Sequence, residues 1–185
     1  MPTGEPLTLK EVQLRLGVPP HVLIHLCEKG VIEPDFADTS GRGKRREFSE
    51  RNLFEFAVAL AVRQLEVPVA TTVLVIRVLR SFTRAVSKAA PGFELPGSLA
   101  SGKVALSLYL YDGGFLVLSA RGGSLRRALV LRAKLPERAA GGRTTSSASA
   151  SVRVEKLDAV PEHFQARLEI DLSEIARKVL KQALP

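Results

Sequence analysis

Two groups of side chains have the types and spacing that contact the phosphates and base edges of nucleic acid. Four basic residues lie almost side by side in a stretch rich in Gly and Ser: Arg42, Lys44, Arg45 and Arg46. Such clusters neutralise phosphates and position a protein on a duplex without reading its sequence. A second group, His21, His25 and Lys29, recurs every four residues and is predicted to share one side of a helix. Arg15, on a helix just before them, is a further candidate phosphate contact.

The overall composition agrees with a polyanionic partner. The 185 residues carry a formal net charge of +8, which favours nucleic acid or an anionic membrane surface. Only 5% of residues are aromatic and none is Trp, which argues against stacking platforms for single-stranded nucleic acid. We find neither a signal-peptide pattern nor an apolar run of membrane-spanning length, and therefore expect a cytoplasmic protein without membrane contact.

The segment before the basic cluster has the start and stop signals of two short helices. Thr8 followed by Glu11 is a capping-box pattern, which predicts a helix over Leu9–Leu16 that Gly17 ends. Proline suits the first turn of a helix, so Pro20 begins a second one, predicted over residues 20–29 and stopped by Gly30. Two short helices joined by a tight turn that contains Gly form a helix-turn-helix, whose second helix can enter a major groove.

The basic cluster falls where such a domain would carry a hairpin, or wing. Residues 31–34 read as a short extended piece, and residues 35–48 have the composition of a hairpin with a basic tip. Ser49 is the predicted N-cap of the next helix. Another helix is predicted over Val69–Ala89, with a short heptad seam formed by Val75, Leu79, Phe82, Val86 and Ala89. This helix is expected to hold two copies together, with the carboxyl-terminal sheet as a further candidate.

After the Pro91-Gly92 pair the pattern changes to strands. Residues 103–111 alternate strictly, with Val104, Leu106, Leu108 and Leu110 on one face, and a hairpin turn at 112–114 leads to a return strand over 115–120. Residues 128–135, 152–158 and 164–172 are predicted as further strands, and residues 139–151 as a loop of low complexity. Tyr109 and Tyr111 fall on the less apolar side of the strand at 103–111. The last segment of the chain is predicted to form an amphipathic helix capped by Ser173.

The amino-terminal segment, roughly residues 7–80, resembles the MerR family of winged-helix transcription regulators. The family pattern of a recognition helix followed by Gly-Leu-Ile-x-Pro is matched by His25-Leu26-Cys27-Glu28 and then Lys29-Gly30-Val31-Ile32-Glu33-Pro34. The family's Arg-x-Tyr before a helix is matched by Arg46-Glu47-Phe48-Ser49, with Phe in place of Tyr, and the family's aromatic pair is replaced by Leu26-Cys27. The resemblance implies a bacterial, nucleoid-associated homodimer that acts on promoter DNA.

We therefore expect an α+β protein of two domains. Residues 1–90 form a winged helix-turn-helix, mostly α, with a following helix; residues 91–185 form a small antiparallel-sheet α+β domain that senses a small molecule or binds a protein effector. The expected function is sequence-specific regulation of transcription on double-stranded DNA. Two alternatives stay open: an architectural, excisionase-like DNA binder, and a protein-interaction module that retains the winged-helix fold without DNA binding.

The residues give little support for catalysis, cofactor binding or zinc binding. No nucleophile has an evident partner and no Gly-rich loop suits a phosphate, so we expect no enzyme and no cofactor. Cys27 is predicted as a buried core thiol on the apolar face of its helix, and one Cys with three scattered His lacks the spacing of zinc ligands. The two tyrosines could line a ligand pocket or a partner surface, but a half-exposed sheet face is the simpler interpretation.

Overall fold

The computed structural model describes residues 5–36, 46–89, 92–111, 115–121, 129–134 and 167–181. Within these ranges the chain forms six helices and six strands, a mixed α+β architecture. The amino-terminal half contains β1 (Leu7–Thr8), α1 (Leu9–Leu16), α2 (Pro20–Glu28), β2 (Glu47–Phe48), α3 (Glu50–Gln64) and α4 (Val69–Ala89). The carboxyl-terminal half contains α5 (Gly97–Ala100), β3 (Ala105–Tyr111), β4 (Phe115–Arg121), β5 (Leu129–Lys134), β6 (Arg167–Asp171) and α6 (Leu172–Lys181).

The first helix begins and ends where its local signals predict. The Thr8 side chain accepts a hydrogen bond from the backbone N–H of Glu11, and the Glu11 carboxylate accepts one from the backbone N–H of Thr8 at 2.6 Å. The backbone and side-chain hydrogen bonds from Thr8 lower the pKa of Glu11, because they favour the carboxylate. Gly17 closes α1 with φ of 63°, a left-handed conformation that glycine adopts without strain.

The other amino-terminal helices follow from capping signals as well. Pro20 begins α2 as predicted, and the helix ends one residue earlier than expected, at Glu28, because Lys29 forms its C-cap. Ser49 caps α3 as predicted, accepting a hydrogen bond from the backbone N–H of Asn52 at 3.1 Å. The predicted bounds of α4 are confirmed.

The carboxyl-terminal strands form one antiparallel sheet in the order β5-β4-β3-β6. The predicted antiparallel pairing of β3 and β4 is confirmed, with Tyr111 opposite Phe115. The predicted β5 and β6 are also present, while the turn at 112–114, the loop at 139–151 and the predicted strand at 152–158 lie outside the described residues. The apolar face of β3 points inward, since Val104, Leu106, Leu108 and Leu110 are all buried.

Tyr109 differs from the expectation of a half-exposed sheet face, because only 8% of it is exposed. It lies on β3, an interior strand with β4 and β6 on its two sides. In addition, the guanidinium carbon of Arg167 lies 5.4 Å from the centre of the tyrosine ring and covers it. The side chain of Tyr111 lies outside the described residues.

The predicted cap of α6 was wrong. Asp171 occupies the capping position, since its Oδ1 accepts hydrogen bonds from the backbone N–H groups of Ser173 and Glu174, at 2.8 and 3.0 Å. The carboxylate at a helix start also interacts favourably with the helix dipole. The buried hydroxyl of Ser173 instead accepts a 2.8 Å hydrogen bond from the backbone N–H of Leu106, which ties α6 to β3.

Replacing Ser173 by alanine should therefore lower the free energy of unfolding by about 1–3 kcal/mol, because the buried N–H of Leu106 would lose its partner. Urea denaturation measures this change. Ser101→Ala, at an exposed serine after α5, is the matched control and should change stability by no more than about 0.5 kcal/mol. Equal effects of the two substitutions would show that the Ser173 hydroxyl has no such role.

One hydrophobic core runs through both halves of the chain. Leu172, Ala176 and Val179 of α6 belong to the same buried cluster as the inward side chains of α3, against which α6 packs. Strands β4 and β5 lie against α4. The predicted division into domains 1–90 and 91–185 stays a prediction, and the described halves share one interior. No helix among the described residues is both long and apolar enough to cross a bilayer.

Candidate nucleic-acid interface

The outer side of α2 carries the predicted base-contacting residues. Leu23 and Leu26 are fully buried against the core, so the opposite side of the helix faces outward. His21 and Lys29 are exposed and His25 is half-buried, which leaves all three reachable from solvent. Glu28 is exposed on the same side, so this surface combines imidazoles and one lysine with one carboxylate.

The turn between the two helices fixes how α2 is presented. Gly17, Val18 and Pro19 separate α1 from α2, and the backbone N–H of Val22 donates to the carbonyl of Pro19 at 3.1 Å. After α2, the backbone N–H groups of Val31 and Ile32 both donate to the carbonyl of Leu26. Val31 and Ile32 are buried, so α2 is held at both ends by residues that flank it directly.

The basic loop is anchored at its base. Its tip, with Arg42, Lys44 and Arg45, lies outside the described residues, whereas Arg46 is described and half-buried immediately before β2. The backbone N–H of Phe36 donates to the carbonyl of Glu47 at 3.4 Å, so the two ends of the segment lie side by side. This is the arrangement expected at the base of a hairpin.

The loop base is also joined to the first helix through a small sheet. Strand β2 pairs antiparallel with β1, with Leu7 opposite Phe48 and Thr8 opposite Glu47. The phenyl ring of Phe48 packs edge-on against Phe56 of α3 with 5.3 Å between the ring centres. Because β1 runs directly into α1, the loop base, the first helix and α3 form one packed unit.

Asn52 forms the centre of a buried polar network next to residues 33–35 and the start of α3. Its Oδ1 accepts hydrogen bonds from the backbone N–H groups of Asp35 at 2.8 Å and Ser49 at 3.2 Å. Its Nδ2 donates to the carbonyl of Glu33 at 3.0 Å and to the Glu55 carboxylate at 3.1 Å. The amide thus fastens residues 33–35, which lead into the loop, onto the start of α3.

An ion pair between helices completes this network. Arg80 of α4 donates to both carboxylate oxygens of Glu55 of α3, at 2.7 and 2.6 Å, in a bidentate pair. It also donates to the carbonyl and the carboxylate of Glu33, at 3.0 and 3.1 Å. One guanidinium therefore joins α3, α4 and the segment that enters the loop.

The electrostatics favour the charged form of Arg80. Burial is the largest single influence and lowers its pKa, but hydrogen bonding to Glu55 and the charges of Glu55, Asp35 and Glu33 together raise the pKa above its ordinary value. Asp35 binds Arg51 as well, with Nε of Arg51 at 3.1 Å, and accepts a hydrogen bond from the Ser49 hydroxyl. Two arginines thus offset most of the charge of the three carboxylates Glu33, Asp35 and Glu55.

Sequence reasoning missed Asn52, Glu55 and Arg80. The sequence did contain a signal for these residues, since Glu55 and Arg80 each interrupt a strongly apolar helical stretch and Asn52 lies three residues after an N-cap serine.

Two further residues considered in the sequence lie outside this network. Arg15 is half-buried at the end of α1 and lines a cleft between α1, α3 and α6, and Cys27 is half-buried against the core.

In comparisons with known proteins, the chain matches no family model and no curated protein.

Proposed function

We propose that residues 7–66 form a winged helix-turn-helix of the MerR type and that the chain is a sequence-specific regulator of transcription on double-stranded DNA. The observation that carries the proposal is the combination of a firmly held α2, with its polar side outward, and a basic loop whose two ends are held together next to β2. The network of Asn52, Glu55 and Arg80 supports it, because a loop that lies on DNA needs a rigid base.

In this proposal the two surfaces have different tasks. Helix α2 enters the major groove and presents His21, His25 and Lys29 to base edges. Arg42, Lys44, Arg45 and Arg46 lie along the neighbouring phosphate backbone and supply affinity that depends on salt. The carboxyl-terminal half then responds to an effector, either a small molecule or a protein.

We also propose that two copies bind a palindromic site, with half-sites about one helical turn or a multiple of it apart. The predicted heptad seam of α4 is not free to form the contact between copies. Val75, Leu79 and Phe82 of that seam are all buried within the chain itself. Light scattering of the free and DNA-bound protein gives the number of copies.

The test is a fluorescence-anisotropy titration. Labelled duplexes are first enriched from a random-sequence pool, and their affinity is then measured at several salt concentrations. We expect the logarithm of affinity to fall linearly with the logarithm of salt, and the double substitution Arg45→Ala and Arg46→Ala to reduce that slope by about 1.8, since each phosphate contact contributes about 0.9.

The matched control removes two positive charges from the other half of the chain, Lys103→Ala and Lys181→Ala, both at exposed positions. This control should leave the slope unchanged. Absence of measurable affinity at low salt, or equal slopes for the two double variants, would contradict the proposal. Partners that remain bound after nuclease treatment would then favour the interaction module, and enrichment at recombination junctions would favour the architectural binder.

A further inference from the structure

A cleft of about 510 Å³ lies between the amino-terminal helices and α6. Its walls come from the end of α1, the start of α2, the second half of α3 and the outer side of α6. Apolar side chains form most of the lining, among them Leu16, Val22, Leu60 and Ile175. The volume lies within the range of small-molecule sites, which combine apolar walls with a few polar groups that fix the orientation of a ligand.

The polar lining has one sign of charge. Arg15, Arg63 and Lys178 come from three different helices. Among the described residues Gln64 is the remaining polar one of the lining, and none of them contributes a carboxylate. Glu174 lies 3.8 Å from Lys178 and balances part of its charge, whereas neither Arg15 nor Arg63 has an ion pair within 4.0 Å among the described residues. The charge of Glu11 on α1 also offsets part of that of Arg15. The described lining of the cleft is therefore positive and otherwise mostly apolar.

Arg15 gives a second and independent indication. Its Nε is buried and has no hydrogen-bond acceptor among the described residues. A buried donor without a partner is costly, and proteins of this size have few of them. If the Arg15 side chain turned toward the cleft, a bound carboxylate would supply the missing acceptor through a charge-assisted hydrogen bond.

We propose that this cleft binds a small amphipathic anion, an alkyl or aryl carboxylate whose apolar body lies on the floor and whose head group contacts Arg15 and Arg63. A neutral or cationic molecule of the same shape would leave the arginines unpaired and would bind more weakly. The inference does not depend on the DNA surface proposed above, although the cleft adjoins it through Val22 of α2 and Arg15, a candidate phosphate contact.

The test uses the full chain and decanoate as the probe, with binding followed by isothermal titration calorimetry. Decanoate should bind with one site per chain, decanol about tenfold more weakly or worse, and decyltrimethylammonium not measurably. Arg63→Gln should weaken decanoate binding by about tenfold, and Ala61→Phe, which fills the cleft, should abolish it. Arg77→Gln, at an exposed position on α4, is the matched control and should bind as the wild type does.

Three results would overturn the inference. The first is no binding of decanoate to the wild-type chain up to about 1 mM. The second is equal binding of the three probes, which would indicate a non-specific apolar surface. The third is an unchanged decanoate affinity in Arg63→Gln and Arg15→Gln together with a lower affinity for duplex DNA, which would assign these arginines to phosphate contact.

Discussion

Replacing Arg80 by alanine should lower the free energy of unfolding by about 3–5 kcal/mol, one of the two largest losses we expect from a single substitution. The guanidinium is the bidentate partner of Glu55, whose side chain is only 2% exposed, and it also binds Glu33. Without Arg80 the buried carboxylate of Glu55 would keep, of its described partners, only the Asn52 amide at 3.1 Å and the more distant Arg51 at 3.8 Å. The substitution would also free the segment that enters the basic loop, so duplex affinity should fall with stability.

Urea denaturation monitored by circular dichroism measures this loss. Arg77→Ala, an exposed arginine on the same helix, removes the same charge without breaking the network and should cost no more than about 0.5 kcal/mol. The double variant Glu55→Leu and Arg80→Leu should be more stable than Arg80→Ala, because no unpaired charge remains. If Arg80→Ala and Arg77→Ala unfold at the same urea concentration, the role assigned to the network is wrong.

Replacing Phe56 by alanine should destabilise the chain by a similar amount, about 3–5 kcal/mol. Phe56 is fully buried on α3 and packs edge-on against Phe48 of β2, so its removal leaves a cavity on the inner side of the loop base. Because β2 is paired with β1, the loss should spread to the start of α1. Thermal unfolding measures the change, and hydrogen exchange at Leu7 and Phe48 shows whether the small sheet loosens.

Phe36→Ala is the control for this prediction, since Phe36 is 37% exposed and therefore buries less area than the fully buried Phe56. It should lower stability by about 1–2 kcal/mol. A loss in Phe56→Ala no greater than that in Phe36→Ala would contradict the packing described for the aromatic pair.

The parts of the fold that the sequence predicted are those that local signals determine. Thr8 with Glu11, Gly17, Pro20 and Ser49 act within one helical turn. The predicted bounds of α1 and α2 and the predicted start of α3 agree with the structure to within a residue. Strict alternation predicted β3 and its inward face in the same way, because side chains of a strand alternate between two faces.

The parts that could not be predicted depend on residues far apart in the chain. Arg80 reaches Glu33 across 47 positions, and the Ser173 hydroxyl reaches Leu106 across 67. No periodicity encodes such pairs, and Ser173 carries the usual signature of a cap even though Asp171 takes that place. The role predicted for the heptad seam was wrong for the same reason. The sequence of an apolar stripe is the same whether the stripe packs against a second copy or against the rest of its own chain.

Because α3 and α6 share one hydrophobic interior, the chain cannot be cut between its two halves without exposing apolar surface. A fragment that ends at residue 90 would keep every side chain of the proposed DNA surface, yet it would turn the apolar side of α3 that α6 covers toward water. Such a fragment would tend to aggregate. We therefore expect the two halves to melt in one cooperative transition, and displacement of α6 to destabilise α3.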